Sequence, residues 1–232
     1  VSLRVAGDTH TIPLELVRGS DIQAASPMRT FRWYKGKRHY SGWYAAETER
    51  RHIIYESRHE LVRLMKADMD PDVVWIRAQP MQIHGRLDGA ARPRRHVPDY
   101  ALGYLDESIV IVNVKTKAGY AKPAAREALD WADEVISRRG WRHEVWTGES
   151  PQYVANLRWL AAFRDSRHLA AIDGKHLQQV AAHCGPLQTL EERLARGGIG
   201  HPRAAVMHML WRGILHADLE MPIGPTTWLS AP

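Results

Sequence analysis

Residues 108–114, Ser-Ile-Val-Ile-Val-Asn-Val, constrain the fold more than any other stretch of the chain. A continuous apolar run of this length, without polar alternation, predicts a strand covered on both faces. Such a strand belongs in the middle of an α/β sheet. It ends at a cation, Lys115, and side chains alternate along a strand, so Asn113 and Lys115 point to the same face. Thirteen residues before Asn113, counting only those between, stands the pair Pro98-Asp99. Open α/β sheets place their ligands beyond strand ends of this kind. The expectation is that Asp99 sits on the neighbouring strand, beside Lys115.

The segments around this strand agree with it. Ser57 and Glu60 form an S-x-x-E capping box, and Leu61, Leu64 and Met65 follow at helical spacing. A strand is expected from about Val73, after the Asp70-Pro71 break. Residues 81–89 and 95–105 read as two further strands joined by a turn near Asp88-Gly89. Residues 122–140 predict a helix, with Pro123 near its start and Gly140 at its end. Residues 142–148 close the unit as a strand, so the preceding helix is a crossover. Upstream, residues 1–18 read as a hairpin around Gly7-Asp8. Beyond Gly148 the pattern changes to short helices and a terminal hairpin or wing. Two domains follow: 1–150, an α/β mixed sheet flanked by helices, and 151–232, smaller, mostly helical and winged-helix-like.

Composition narrows the function. The net charge is +6 and the isoelectric point about 9.6, which favours an anionic partner such as nucleic acid. With 44% hydrophobic residues the chain can bury a core, so global disorder is excluded. One cysteine, Cys184, permits neither a disulfide framework nor a cysteine-rich zinc site within one chain. No apolar segment is of membrane-spanning length and no signal pattern opens the sequence, so a cytoplasmic protein is expected, with no membrane partner. Thirteen histidines include no H-E-x-x-H, and the segment around Lys122 carries no Walker pattern. Of nine tryptophans, Trp75, Trp131, Trp159 and Trp211 are expected in cores. Two basic segments are candidates for phosphate contact. One interleaves Arg32, Lys35, Lys37 and Arg38 with aromatic residues, and the other is Arg92, Arg94 and Arg95 just before Asp99. Lys117 lies just beyond the candidate site. Each also fits a solvated surface, with its cations in water.

Glu60 on the helix, Asp99, Asn113 and Lys115 would converge at one sheet end. Two carboxylates, an amide and an amine are a set suited to metal-dependent phosphodiester hydrolysis. Hard oxygen ligands (Glu60, Asp99 and the Asn113 amide) hold Mg2+, which activates water and neutralises phosphate charge. The lysine positions the water or stabilises the developing oxyanion. Each residue has an ordinary structural role as well. Glu60 caps a helix, Asp99 follows a proline in a turn, and Lys115 opens a solvated loop.

With these residues in this order, the sequence resembles the PD-(D/E)xK nuclease superfamily and, more narrowly, the TnsA-type endonuclease subunits of heteromeric transposases, in particular the TnsA-like proteins of actinobacterial elements. The stretches "YKGKRHYSGWYAAETERRHIIYESRHE", "DPDVVWIRAQP", "RRHVPDY" and "MLWRGILHADLEMPI" carry the resemblance, over roughly residues 27–150 and onward through 228. It implies a restriction-endonuclease-like fold and Mg2+ as cofactor, with Mn2+ as a substitute. It assigns Glu60 to the helix glutamate, Asp99 to the metal-binding aspartate and Lys115 to the catalytic lysine. Asn113 stands at the central acidic position, where glutamine also occurs in TnsA-type enzymes, and leaves the pocket one negative charge poorer. The implied partners are double-stranded DNA at transposon ends, an integrase-type transposase that cuts and joins the other strand, and an AAA+ regulator bound to the C-terminal domain. The implied setting is the bacterial cytoplasm, at the nucleoid when active. Two alternatives stay open: a stand-alone restriction or repair nuclease, and a non-catalytic DNA- or partner-binding adaptor of the same fold.

Overall fold

A computed structural model describes residues 1–29, 40–86, 93–165, 172–173, 175–176, 180 and 182–231. The chain divides into two compact units, Val1–Ala67 with Asp72–Gly148, and Asp68–Pro71 with Glu149–Pro232.

The first unit is mixed α/β. Strands β1 (Ser2–Val5) and β2 (Asp8–Thr11) form the expected hairpin. Its two-residue turn is Ala6-Gly7, both at positive φ, the combination whose twist matches paired strands. A short helix, α1 (Gly19–Ala24), follows. Strands β3 (Gly42–Ala46) and β4 (Arg51–Tyr55) pair as a separate ribbon and lead into α2 (Arg58–Met69). Next come β5 (Val73–Ala78), β6 (Met81–Gly85), β7 (Arg94–His96), β8 (Tyr100–Tyr104) and β9 (Ile109–Val114). After the short α3 (Lys117–Tyr120) and the long α4 (Pro123–Arg138), β10 (Arg142–Trp146) completes the unit.

The strands assemble into two sheets, ordered β2-β1-β6-β7 and β10-β9-β8-β5. β9 is internal to the second, antiparallel to β8 and parallel to β10. All six of its residues are buried, as the apolar run requires. Its Ile109 and Ile111 join one core with Leu3, Met81, Ile83 and Trp75 of the strands and Trp131, Ala132 and Ile136 of α4. Helix α4 starts with Pro123, whose missing N–H is no loss at a first helical position, and ends against Gly140 at φ +80. Gly103 on β8 has a different reason. A Cβ there would stand 2.1 Å from the Trp75 indole, so only glycine lets that ring lie across the sheet.

One expectation needs correction. Residues 95–105 do not form one strand. Pro98 has no N–H to give a ladder, and the segment breaks there into β7 and β8, which belong to different sheets. Asp99 lies in the break. The expected turn at Asp88-Gly89 lies outside the described residues, as do Arg32, Lys35, Lys37, Arg38 and Arg92.

In the second unit α5 (Pro151–Ala161) is capped by Ser150, whose hydroxyl accepts from the Tyr153 N–H at 3.0 Å. Strand β11 (Cys184–Pro186), α6 (Leu187–Arg196), α7 (Pro202–Trp211) and β12 (Trp228–Ser230) follow. Leu157, Leu160, Leu190, Leu194, Val206, Met207, Met209, Trp211 and Leu229 are buried. The strand expected at the end of the chain is present; it pairs with β11 across the α6–α7 pair and also forms an antiparallel bridge from Ser230 to His216. Trp75, Trp131 and Trp211 are buried as expected, whereas Trp159 is partly exposed and packs edge-on against Phe163. No helix among the described residues is long and apolar enough to cross a membrane.

Candidate active site

The backbone brings Asp99 to the end of β9. Its N–H donates to the Val112 carbonyl at 3.0 Å, and its carbonyl accepts from Gln79 N–H at 2.9 Å. Thus fixed, its carboxylate Oδ2 accepts the Val114 N–H at 2.7 Å, and the Lys115 ammonium stands 4.0 Å from the same oxygen. Lys115 is held by its backbone too. Its N–H donates to the Trp146 carbonyl at 3.0 Å, and its carbonyl accepts from His59 Nε2 at 2.9 Å. The His59 ring packs on Trp146 with centroids 4.6 Å apart. The side chains of Asp99 and Lys115 are 14% and 37% exposed, so the pair sits at a mouth and not in a sealed core.

Glu60 occupies the third residue of α2. Its Oε1 accepts the Ser57 hydroxyl at 2.9 Å, its own N–H donates to that hydroxyl at 3.1 Å, and its Oε2 accepts the Glu56 N–H at 2.8 Å. This is a capping interaction in which the reach back goes one residue beyond the usual N-cap N–H. The capping role and the site role therefore coexist in one side chain. Burial drives the Glu60 carboxyl up to about 7; the Glu56 N–H opposes that shift, and the Asp99 charge adds to it. At neutral pH the carboxyl is poised between its two forms, and a bound cation would favour the ionised one.

Asn113 is 1% exposed and touches two histidines that sequence reasoning missed. Its amide lies 2.9 Å from His96 Nε2, on β7, and 3.0 Å from His143 Nε2, on β10. The other amide atom is buried without a partner among the described residues. His143 Nδ1 lies 3.2 Å from Asp133 Oδ1, on α4. Burial lowers the pKa of both rings, against the raising effect of their hydrogen-bond partners. The Asp99 charge also raises His96 and the Lys115 charge lowers it, which ties His96 electrostatically to the same sheet end. One signal could have located His143. In the parallel β9–β10 register Val145 is opposite Asn113, so His143 shares its face two residues earlier.

The candidate phosphate contacts separate. Arg94 donates to the Glu127 backbone carbonyl at 3.0 Å and pairs with the Glu127 carboxylate on α4, so its charge is largely answered within the fold. Arg95 and Lys117 are exposed.

The donor set suits a hard divalent cation. Asp99 and Glu60 supply carboxylate oxygens and Asn113 an amide. Among the described residues no group of three or more His, Cys, Asp or Glu side chains gathers as a metal site. Glu60 would exchange one capping hydrogen bond for the ion. Neither the protein-family models nor the curated proteins compared with the chain match it.

Proposed function

We propose that this chain is a metal-dependent DNA endonuclease of the TnsA type, a subunit of a heteromeric transposase that nicks one strand at transposon ends. One observation carries the reading: at the end of the central strand β9, Asp99 lies 4.0 Å from the Lys115 ammonium and is coupled electrostatically to the buried Glu60 carboxyl. A restriction-endonuclease-like core accords with β9 between an antiparallel and a parallel neighbour, and with α4 as the crossover. A winged-helix-like second unit accords with the α6–α7 pair bracketed by β11 and β12.

Asp99, Glu60 and the Asn113 oxygen would hold Mg2+, or Mn2+ in its place. When bound, the ion supplies an activated water and neutralises charge on the phosphate. The residues of the chain do the rest. Asp99 orients the ammonium of Lys115 at the site mouth. Lys115 holds the attacking water and stabilises the phosphate oxygen that gains charge. Arg95 and Lys117, both exposed, would meet the phosphate backbone of double-stranded DNA. The second unit is the docking module for an AAA+ regulator, and an integrase-type transposase completes the cut on the other strand. The whole acts in the bacterial cytoplasm.

Nicking of a transposon-end duplex, with Mg2+ and the partner transposase present, tests the reading. Wild type should nick one strand and Asp99→Ala should not. A stand-alone nuclease would nick without the partner. A second reading, a non-catalytic adaptor, is favoured by one observation: the Asn113 amide and both Glu60 carboxylate oxygens already have protein partners. Tight DNA or partner binding without any cleavage would favour it.

A further inference from the structure

Around Asn113 the hydrogen bonds fix more than position. The Asp133 carboxylate can only accept, so the hydrogen between it and His143 belongs to Nδ1. In a neutral imidazole the other nitrogen, Nε2, is then an acceptor. It lies 3.0 Å from one end of the Asn113 amide. An oxygen there would set acceptor against acceptor, with the amide nitrogen buried and unpartnered at the other end. The two ends of an amide have nearly the same shape, and a half-turn exchanges them at little steric cost. With the NH2 group toward the rings, its two hydrogens meet two acceptors, His143 Nε2 and His96 Nε2. Both Nε2 atoms are then satisfied.

We propose that His96, His143 and Asp133 are positioning residues: they hold the Asn113 NH2 group against two Nε2 acceptors and so turn its oxygen away from the rings, where it can ligate a cation. The same geometry explains why this position carries an amide. A carboxylate offers no hydrogen to either ring, so aspartate here would oppose both acceptors. The orientation stands on hydrogen-bond valence alone; the use of the oxygen as a ligand rests on the nuclease reading.

The test is long-range 1H–15N correlation on the uniformly labelled, metal-free full chain at pH 8, which reads the tautomer of each histidine. His96 and His143 should both show a protonated Nδ1 and an unprotonated Nε2, and the Asn113 NH2 should exchange slowly. In Asn113→Asp the His96 ring should carry a hydrogen on Nε2, while Asp133 keeps the hydrogen of His143 on Nδ1. A packing role alone would leave the tautomers unchanged. A hydrogen on Nε2 of either ring in wild type, or unchanged tautomers in Asn113→Asp, would overturn the orientation. Mg2+ is then added to the wild type. A shift of the Asn113 side-chain carbonyl supports its use as a ligand. An unmoved carbonyl with the expected tautomers overturns that use and leaves the orientation standing.

Discussion

The two units bury polar side chains with different emphasis. In the helical unit the buried ones all reach backbone, although Asn156 also accepts from Gln152 and His176 also meets Asp173. Asn156 donates to the carbonyls of Leu219 and Met221, both at 2.8 Å, and His208, His176 and His183 contact the carbonyls of Phe163, Gly197 and Gly185. These contacts staple loops to helices. In the strand-rich unit buried polar side chains meet one another. Arg63, 5% exposed, grips Glu144 with two hydrogen bonds of 3.0 and 2.7 Å, Arg77 pairs with Glu49, and Asn113 lies between His96 and His143. A staple satisfies a backbone group that folding would otherwise strand, so it stabilises the fold directly. A side-chain network gains less for stability, because both partners are desolvated, and is retained where position or charge matters. This contrast agrees with the proposal that chemistry belongs to the first unit and docking to the second.

Tests at three places in the molecule can break that contrast. The largest effect is expected at the sheet end. Asp99→Ala and Lys115→Ala should each lower the nicking rate by roughly two to four orders of magnitude, the scale of losing an acid–base or electrostatic group. Thermal unfolding should move little for Lys115→Ala, whose side chain is 37% exposed, and more for Asp99→Ala, which leaves the Val114 N–H without its acceptor. Nicking at the wild-type rate by Lys115→Ala would remove the lysine from the mechanism.

Glu60 gives the next effect, through pH. Its pKa is about 7 in the folded chain against an ordinary 4.5, so folding favours the protonated carboxyl. Its contribution to stability is therefore fully present below about 4.5 and is lost as pH rises to about 7. At about 1.4 kcal/mol per pKa unit, the loss is about 3 kcal/mol. Glu60→Gln cannot titrate, so the stability difference between wild type and variant, from urea unfolding at a series of pH values, should change by that amount over that window and be flat above it. Mg2+ competes with the same proton, so its affinity in calorimetry should climb across the window. A pH-independent difference would mean that Glu60 acts as a cap alone.

The smallest effect is expected in the helical unit. Asn156→Ala removes the donor that holds the Leu219 and Met221 carbonyls and should cost about 1 kcal/mol of stability, the scale of losing a hydrogen bond whose acceptors can reach water. The nicking rate per folded molecule should stay near wild type. A loss of rate as large as that of Asp99→Ala would place chemistry in both units and end the contrast.

Much of the local structure was legible because local signals write it. The apolar run of β9, the helical spacing of α2 and α4, Pro123 and Gly140 at the ends of α4, and the Ser57–Glu60 cap each depend on residues close in sequence. The same holds for the order Glu60, Asp99, Asn113, Lys115, which marked one strand end as the place to look. The split of residues 94–104 between two sheets was missed because proline denies a hydrogen bond but does not say which sheet each half joins. The buried pairs Arg63–Glu144 and Arg77–Glu49 had no sequence mark, since a charged residue in a helix or strand looks the same whether it faces water or a partner.

Taken alone, then, the sequence determined β9, its flanking helices and which ionisable residues stand near the end of β9, but neither the β3–β4 ribbon nor the split into β7 and β8. Tertiary structure alone decided that Glu60 is buried enough to titrate near neutrality, and that His96, His143 and Asp133 close around Asn113 from three other elements. The reason is physical. Periodicity and capping act over a few residues of chain, whereas desolvation and hydrogen-bond valence depend on neighbours that only strand register and helix packing bring within about 3 Å.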